Sequence, residues 1–134
     1  MGKTVIQHEI ERARRSKGGL GLAYIDVDGL KGINDSLGHA AGDALLRDLV
    51  GALRSRLRPY DPVVRWGGDE FLCAVPGTHL GVARDRVDAA LGVFARSQPG
   101  AAISVGLAGL RDGDTLESLV DRADQALLQR RRKR

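Results

Sequence analysis

The chain has 134 residues, of which 43% are hydrophobic and 28% charged, with a formal net charge of +4. That length suits one domain with a real core and excludes a disordered chain, while aromatics at 4% argue against a stacking platform for single-stranded nucleic acid. The positive charge is a tail: Arg130 to Arg134 are all basic, and without them 16 basic residues face 17 acidic ones, a net charge of −1.

From Thr4 to Ser16, apolar Val5, Ile6, Ile10 and Ala13 recur at helical spacing, and Lys17-Gly18-Gly19 ends that helix. Leu20 to Val27 is nearly all apolar, which predicts a strand buried on both faces, running into Asp26-Val27-Asp28-Gly29. A short helix is expected over Leu30 to Leu37. A longer one is expected from about Ala40 to Leu57, with Leu45, Leu46, Leu49, Val50, Leu53 and Leu57 as its core stripe. Pro59 and Pro62 bound a loop. Val63 to Trp66, Gly67-Gly68 and Glu70 to Val75 predict a β-hairpin, with the glycines at the positive φ of a tight two-residue turn. A helix over Leu80 to Arg96, a strand over Ala101 to Leu107, a turn at Asp112-Gly113-Asp114 and a last helix over Leu116 to Gln129, capped by Thr115, complete the chain. The order α, β, α, α, β, β, α, β, α predicts an α/β (α+β) sandwich with at least one parallel crossover and one hairpin. Its central β-sheet, flanked by helices, is of the ferredoxin-like or polymerase-palm-like kind.

Cys73 stands alone, so no internal disulfide is available and a reducing, cytoplasmic setting is expected. Between Leu72 and Ala74 it reads as a core residue. No stretch approaches the roughly 20 apolar residues of a membrane helix. The charged start, MGKTVIQHEIERARR, lacks the apolar region of a secretory signal.

Two carboxylates stand at element ends. Asp26 closes the first strand and Asp69 follows the Gly-Gly turn. If those strands are neighbours, both carboxylates meet at one sheet edge, as hard oxygen ligands for Mg²⁺ against a phosphate substrate. Glycine also lets backbone approach a triphosphate closely. The plainer alternative is two turns and no site. An EF-hand calcium loop is excluded, because its twelfth position counted from Asp26 is Leu37. Neither a G-x-x-x-x-G-K-[ST] phosphate loop nor a G-x-G-x-x-G fingerprint is present.

Arg65-Trp66-Gly67-Gly68-Asp69-Glu70-Phe71 contains the signature of GGDEF domains, the diguanylate cyclases. The stretch from Asp26 to Asp43 (DVDGLKGINDSLGHAAGD) resembles that family's D-x-D-x-F-K-x-I-N-D-x-x-G-H-x-x-G-D block. Ile103-Ser104-Val105-Gly106 and Arg122-Ala123-Asp124-Gln125-Ala126-Leu127 resemble its later S-x-G and A-D-x-A-L elements. The resemblance spans roughly Ile10 to Gln129 and identifies residues 1–134 as a single GGDEF domain.

The resemblance implies condensation of two GTP into cyclic di-GMP and pyrophosphate by an antiparallel pair of domains, each holding one GTP. It implies Mg²⁺ or Mn²⁺ on Asp26, Asp69 and the Val27 carbonyl, with Asp69 and Glu70 as the acidic pair that also serves deprotonation. It implies that Asn34 and Asp43 read guanine, with helix capping as the structural alternative. A carboxylate accepts from the N1–H and N2–H edge that adenine lacks. Lys31, Gly67, Gly68 and Arg131 are placed at phosphates, and Arg58 and Asp61, an R-x-x-D six positions ahead of Arg65-x-Gly67, at an inhibitory product site. His39 and Trp66 read as structural.

Departures from the family pattern are Leu30 for Phe, Leu128 for Tyr, Arg131 for Lys, and Arg132-Lys133-Arg134 for G-R-N. The D-x-L-T-G-L-x-N-R stretch and a sensor domain are absent from the sequence. The expected partners are GTP, cyclic di-GMP and a second copy of the chain, without nucleic acid or membrane. The alternative activity is a catalytically weak GGDEF domain that binds GTP or cyclic di-GMP.

Overall fold

The computed structural model describes residues 2–132. Its elements are α1 (Gly2–Ser16), β1 (Leu20–Asp28), α2 (Leu30–Leu37), α3 (His39–Arg56), β2 (Val63–Arg65), β3 (Glu70–Pro76), α4 (Leu80–Ser97), β4 (Ala102–Gly109) and α5 (Leu116–Arg132). The expected order is present, with ends displaced by a few residues. The last helix extends through Arg130, Arg131 and Arg132, whose charge suits a helix C-terminus; Lys133 and Arg134 lie outside the described residues.

The strands form one four-stranded sheet in the order β2-β3-β1-β4. Every hydrogen-bonded pair is antiparallel. The parallel crossovers take a split form: β3 and β4 run the same way on either side of β1, joined by α4, and β1 and β2 flank β3 in the same manner. This is the ferredoxin-like arrangement, with α1 and α5 added.

Strand periodicity sorts the core into two layers. Ala23, Ile25, Val27, Phe71, Cys73, Val75, Val105 and Leu107 face α3 and α4, where Leu49, Leu53, Val87 and Phe94 cover them. Leu20, Leu22, Tyr24, Leu72, Ala74 and Ala108 face α1 and α5, against Ile6, Ile10, Leu119, Ala123 and Leu127. Two covered faces explain why Leu20 to Val27 carries no polar alternation. The same periodicity continues past the core, so Asp26, Asp28, Glu70 and Ser104 share the α5 side of the sheet.

Local chemistry sets the element ends. Gly29, at φ 74°, turns the chain from β1 into α2. Thr115 caps α5 as expected: the Ser118 N–H donates to Thr115 Oγ1 at 3.1 Å and the Thr115 N–H to Ser118 Oγ at 2.9 Å. Cys73 is fully buried, and burial pushes its thiol up to about 12. Trp66 packs against the α1–α5 layer, as the structural reading expects. Among the described residues, no helix is long and apolar enough to cross a membrane.

Candidate active site

The site forms where β1 ends beside the β2–β3 turn. Asp26 pairs with Glu70 across one edge of β1 and with Ser104 across the other. The Val27 N–H donates to the Asp69 carbonyl at 2.9 Å. The strands are therefore neighbours, and Asp26 and Asp69 meet at one end of the sheet.

The turn differs from the sequence expectation. Trp66 to Asp69 lie between the strands, making a four-residue connection, and neither Gly67 nor Gly68 has positive φ. The Trp66 and Gly67 N–H groups both donate to the Glu70 carbonyl, at 2.8 and 3.2 Å. The Arg65 side chain holds the outside, donating from Nε to the Gly67 carbonyl at 3.2 Å and from Nη2 to the Gly68 carbonyl at 2.6 Å. A Cβ on Gly67 would meet Glu70 Oε1, the tip of a flexible side chain, so a substitution there displaces the Glu70 carboxylate.

A cavity of about 480 Å³ opens beside this turn, bringing Lys31, Asn34 and Asp43 together with Arg65, Gly68 and Asp69. Gly67, Asp26 and Arg131 do not line it. Neither Asn34 nor Asp43 caps a helix: the N-caps of α2 and α3 are Gly29 and Gly38, without side-chain cap bonds. Asn34 Oδ1 is buried without a hydrogen-bond partner. It packs where Gly42 lacks a side chain, since a Cβ on Gly42 would lie 2.9 Å from Asn34 Cγ and closer still to Oδ1. Asp43, the next residue of α3, is exposed, and His39, one turn earlier, lines the same cavity. A larger cavity of about 780 Å³ continues between α3 and β2 and shares Asp43, Leu46 and Arg65.

The acidic pair of the turn divides. Asp69 faces the cavity, whereas Glu70 starts β3 on the α5 side and accepts a 2.8 Å hydrogen bond from the Tyr24 hydroxyl. Burial, reinforced by Glu70, pushes the Tyr24 phenol well above its ordinary value. Sequence reasoning gives neither Tyr24 nor Arg65 a part in the site. Arg65 had a signal, its place two residues before Gly67, but Tyr24 read only as strand core.

The surroundings of Asp26 act on its carboxyl in both directions. Burial raises it above the usual carboxylate range, hydrogen bonding from Arg131 opposes that, and the nearby charge of Asp69 adds to it. Arg131 Nη2 lies 2.8 Å from Asp26 Oδ2 and also bonds Asp28 Oδ1. Asp26 Oδ1 is buried without a hydrogen-bond partner, an orphan acceptor that fits a cation ligand. Among the described residues no group of three or more His, Cys, Asp or Glu is arranged to hold a metal ion. Asp26 and Asp69 stand together at this end of the sheet, and carboxylate oxygens of this kind suit a hard cation that completes its shell with phosphate and water.

Arg58 and Asp61 close on each other. Asp61 is 0% exposed. The Arg58 N–H donates to Asp61 Oδ2 at 2.8 Å, its guanidinium pairs with Oδ1 at 2.8 Å and reaches the Pro76 carbonyl, and it lies 4.5 Å from the Tyr60 ring centroid. The motif is a buried ion pair, with the guanidinium partly open to solvent.

The sequence profile described as diguanylate cyclase, GGDEF domain, matches residues 3–134. The diguanylate cyclase DgcP of Pseudomonas aeruginosa is 37% identical over 134 residues, covering 95% of this chain and 20% of the relative. DgcS of Shewanella oneidensis is 33% identical over 127 residues, covering 92% of this chain and 43% of the relative. The chain thus spans less than half the length of either curated relative. A solved microbial GGDEF domain, described as interacting with cyclic di-GMP, superposes with a TM-score of 0.87 at 32% identity, over 97% of this chain and 84% of that one. A sheet of ferredoxin-like order, the acidic turn between β2 and β3 and a match over nearly all the chain agree: this chain belongs to the GGDEF family of diguanylate cyclase domains.

Proposed function

We propose that this domain condenses two GTP molecules into cyclic di-GMP and pyrophosphate, two copies of the chain meeting to form the complete site. The observation that carries the reading is one cavity that gathers Lys31, Asn34 and Asp43 against Asp69, beside the orphan oxygen of Asp26. Asn34 and Asp43 read the guanine edge, a carboxylate and an amide that adenine would leave unpaired. Lys31 and the open Gly68 backbone receive the phosphates. Asp26, Asp69 and the Val27 carbonyl hold Mg²⁺ or Mn²⁺, which when bound offsets triphosphate charge and polarises the α-phosphate. In the reaction each 3′-oxygen bonds the α-phosphorus of the other GTP, its proton passes to a base, and the bond to the β-phosphate oxygen breaks to release pyrophosphate. The reaction joins two GTP molecules, and this cavity gathers residues for one, so a second copy supplies the other half. The test is purified protein with GTP and Mg²⁺, the product read by mass. Cyclic di-GMP is expected, with specific activity rising with protein concentration and none from ATP. GTP binding without product at high protein concentration would instead support a binding module.

Two variants probe the assignments. Gly42→Ala drives Asn34 off its seat, while alanine suits a helix interior. It is expected to weaken GTP binding about tenfold or more, with an unfolding midpoint equal to or above wild type. Wild-type affinity would remove Asn34 from the site. Product docking rests on Arg58 and Asp61, reached through the open edge of the guanidinium. Arg58→Ala is expected to abolish inhibition by cyclic di-GMP. It also leaves Asp61 buried and unpaired, costing about 1–3 kcal/mol in urea unfolding. Undiminished inhibition would exclude that site.

A further inference from the structure

The family resemblance implies phosphate contact for Arg131, yet its guanidinium lies across the acidic end of the sheet. Nη2 donates to Asp26 Oδ2 at 2.8 Å and to Asp28 Oδ1, and Nε donates to Ser104 Oγ at 2.9 Å. The Ser104 hydroxyl donates in turn to Asp28 Oδ2 at 2.8 Å. Ser104 thus accepts from the arginine and donates to the aspartate, which orients all three groups. The side chains of Asp26 and Arg131 are 16% and 33% exposed, so the pair is largely withdrawn from water. A planar fork can bridge two carboxylates and a hydroxyl at once.

The geometry points to Arg131 as the resident cation of the Asp26 carboxylate, seated by Asp28 and Ser104 and competing with a divalent ion for that carboxylate. The inference rests on the proposed metal site. A divalent ion on Asp26 Oδ1 and a guanidinium on Oδ2 of the same carboxylate repel each other at short range, so the Arg131 contact weakens binding of the ion until it is given up. Nucleotide phosphates offer the released fork a bidentate partner. Metal therefore binds weakly alone and more tightly with nucleotide, the two being linked through Arg131 as a positioning residue.

The test is titration of Mn²⁺ into the full chain without nucleotide, read by electron paramagnetic resonance. Arg131→Met is expected to bind Mn²⁺ roughly tenfold or more tightly than wild type. The gain is expected to vanish in Arg131→Met/Asp26→Asn and to be absent from Arg130→Met, which removes the same charge from an exposed neighbour. Equal affinity in wild type and Arg131→Met overturns the inference, as does a gain that survives loss of Asp26 or is matched by Arg130→Met. Should Arg131→Met fold poorly, Arg131→Gln carries the same comparison. A non-hydrolysable GTP analogue is expected to tighten Mn²⁺ binding more in wild type than in Arg131→Met. If the analogue binds neither protein while the nucleotide-free gain stands, the GTP reading falls and the resident cation remains.

Discussion

Asp69→Asn is expected to lower cyclic di-GMP formation by about three orders of magnitude, because in the proposed site it removes a ligating charge from the metal while keeping the shape of the side chain. Asp69 lies in the turn at half-buried depth, and the contacts that shape that turn are made by its backbone and by Arg65. Thermal unfolding is therefore expected to stay near wild type. GTP affinity through Asn34 and Asp43 is expected to fall far less than turnover. Product formation within tenfold of wild type would exclude Asp69 from the metal site. A pH signature accompanies this. The Asp26 carboxyl is raised by burial, so its protonation begins at a higher pH than that of an ordinary aspartate. A bound proton and a metal compete for that carboxylate, so the metal concentration needed for half-maximal rate is expected to climb as pH falls. The sign for stability is the opposite: the folded state holds that proton more tightly than the unfolded one, so Asp26 adds stability at low pH and loses it as pH rises through its folded value.

Gly106→Ala is expected to be the most disruptive small substitution in the sheet. Gly106 sits in β4 where α5 crosses it. A Cβ there would lie 2.8 Å from Leu127 Cα and closer still to the Leu127 nitrogen and the Ala123 carbonyl oxygen. These are backbone atoms of a helix and cannot rotate away, so α5 must lift from the sheet. Overpacking of this kind costs about 3 kcal/mol, read as a lowered urea midpoint. Lifting α5 also withdraws Arg131 from Asp26 and Asp28. Gly51→Ala is the control: a Cβ there meets nothing within 4 Å, and alanine in a helix interior is expected to stabilise by about 0.5–1 kcal/mol. An unfolding midpoint for Gly106→Ala equal to wild type would refute the packing argument.

The order of helices and strands was legible in the sequence, because hydrophobic periodicity and turn residues act over a few neighbours. The sequence also placed Lys31, Asn34 and Asp43 together, since they belong to consecutive helices joined at Gly38, and it marked Asp26 and Asp69 as ends of elements. Contacts that depend on which strand lies beside which emerge only in the folded chain. The order β2-β3-β1-β4 brings Asp26 opposite Glu70. Alternation along β3 then turns Glu70 away from Asp69 and toward Tyr24, 46 residues earlier in sequence. Local spacing carries no record of the partner in such a pair. Arg131 read as a phosphate ligand, yet it meets Asp26 across 105 residues, because α5 returns over β4 where Gly106 has no side chain. Gly67 and Gly68 read as residues of positive φ and have none. The turn is longer than two residues, and the space beneath Gly67 is taken by Glu70. Chain-distant packing, not local propensity, sets these contacts, and with them the resting state of the acidic site.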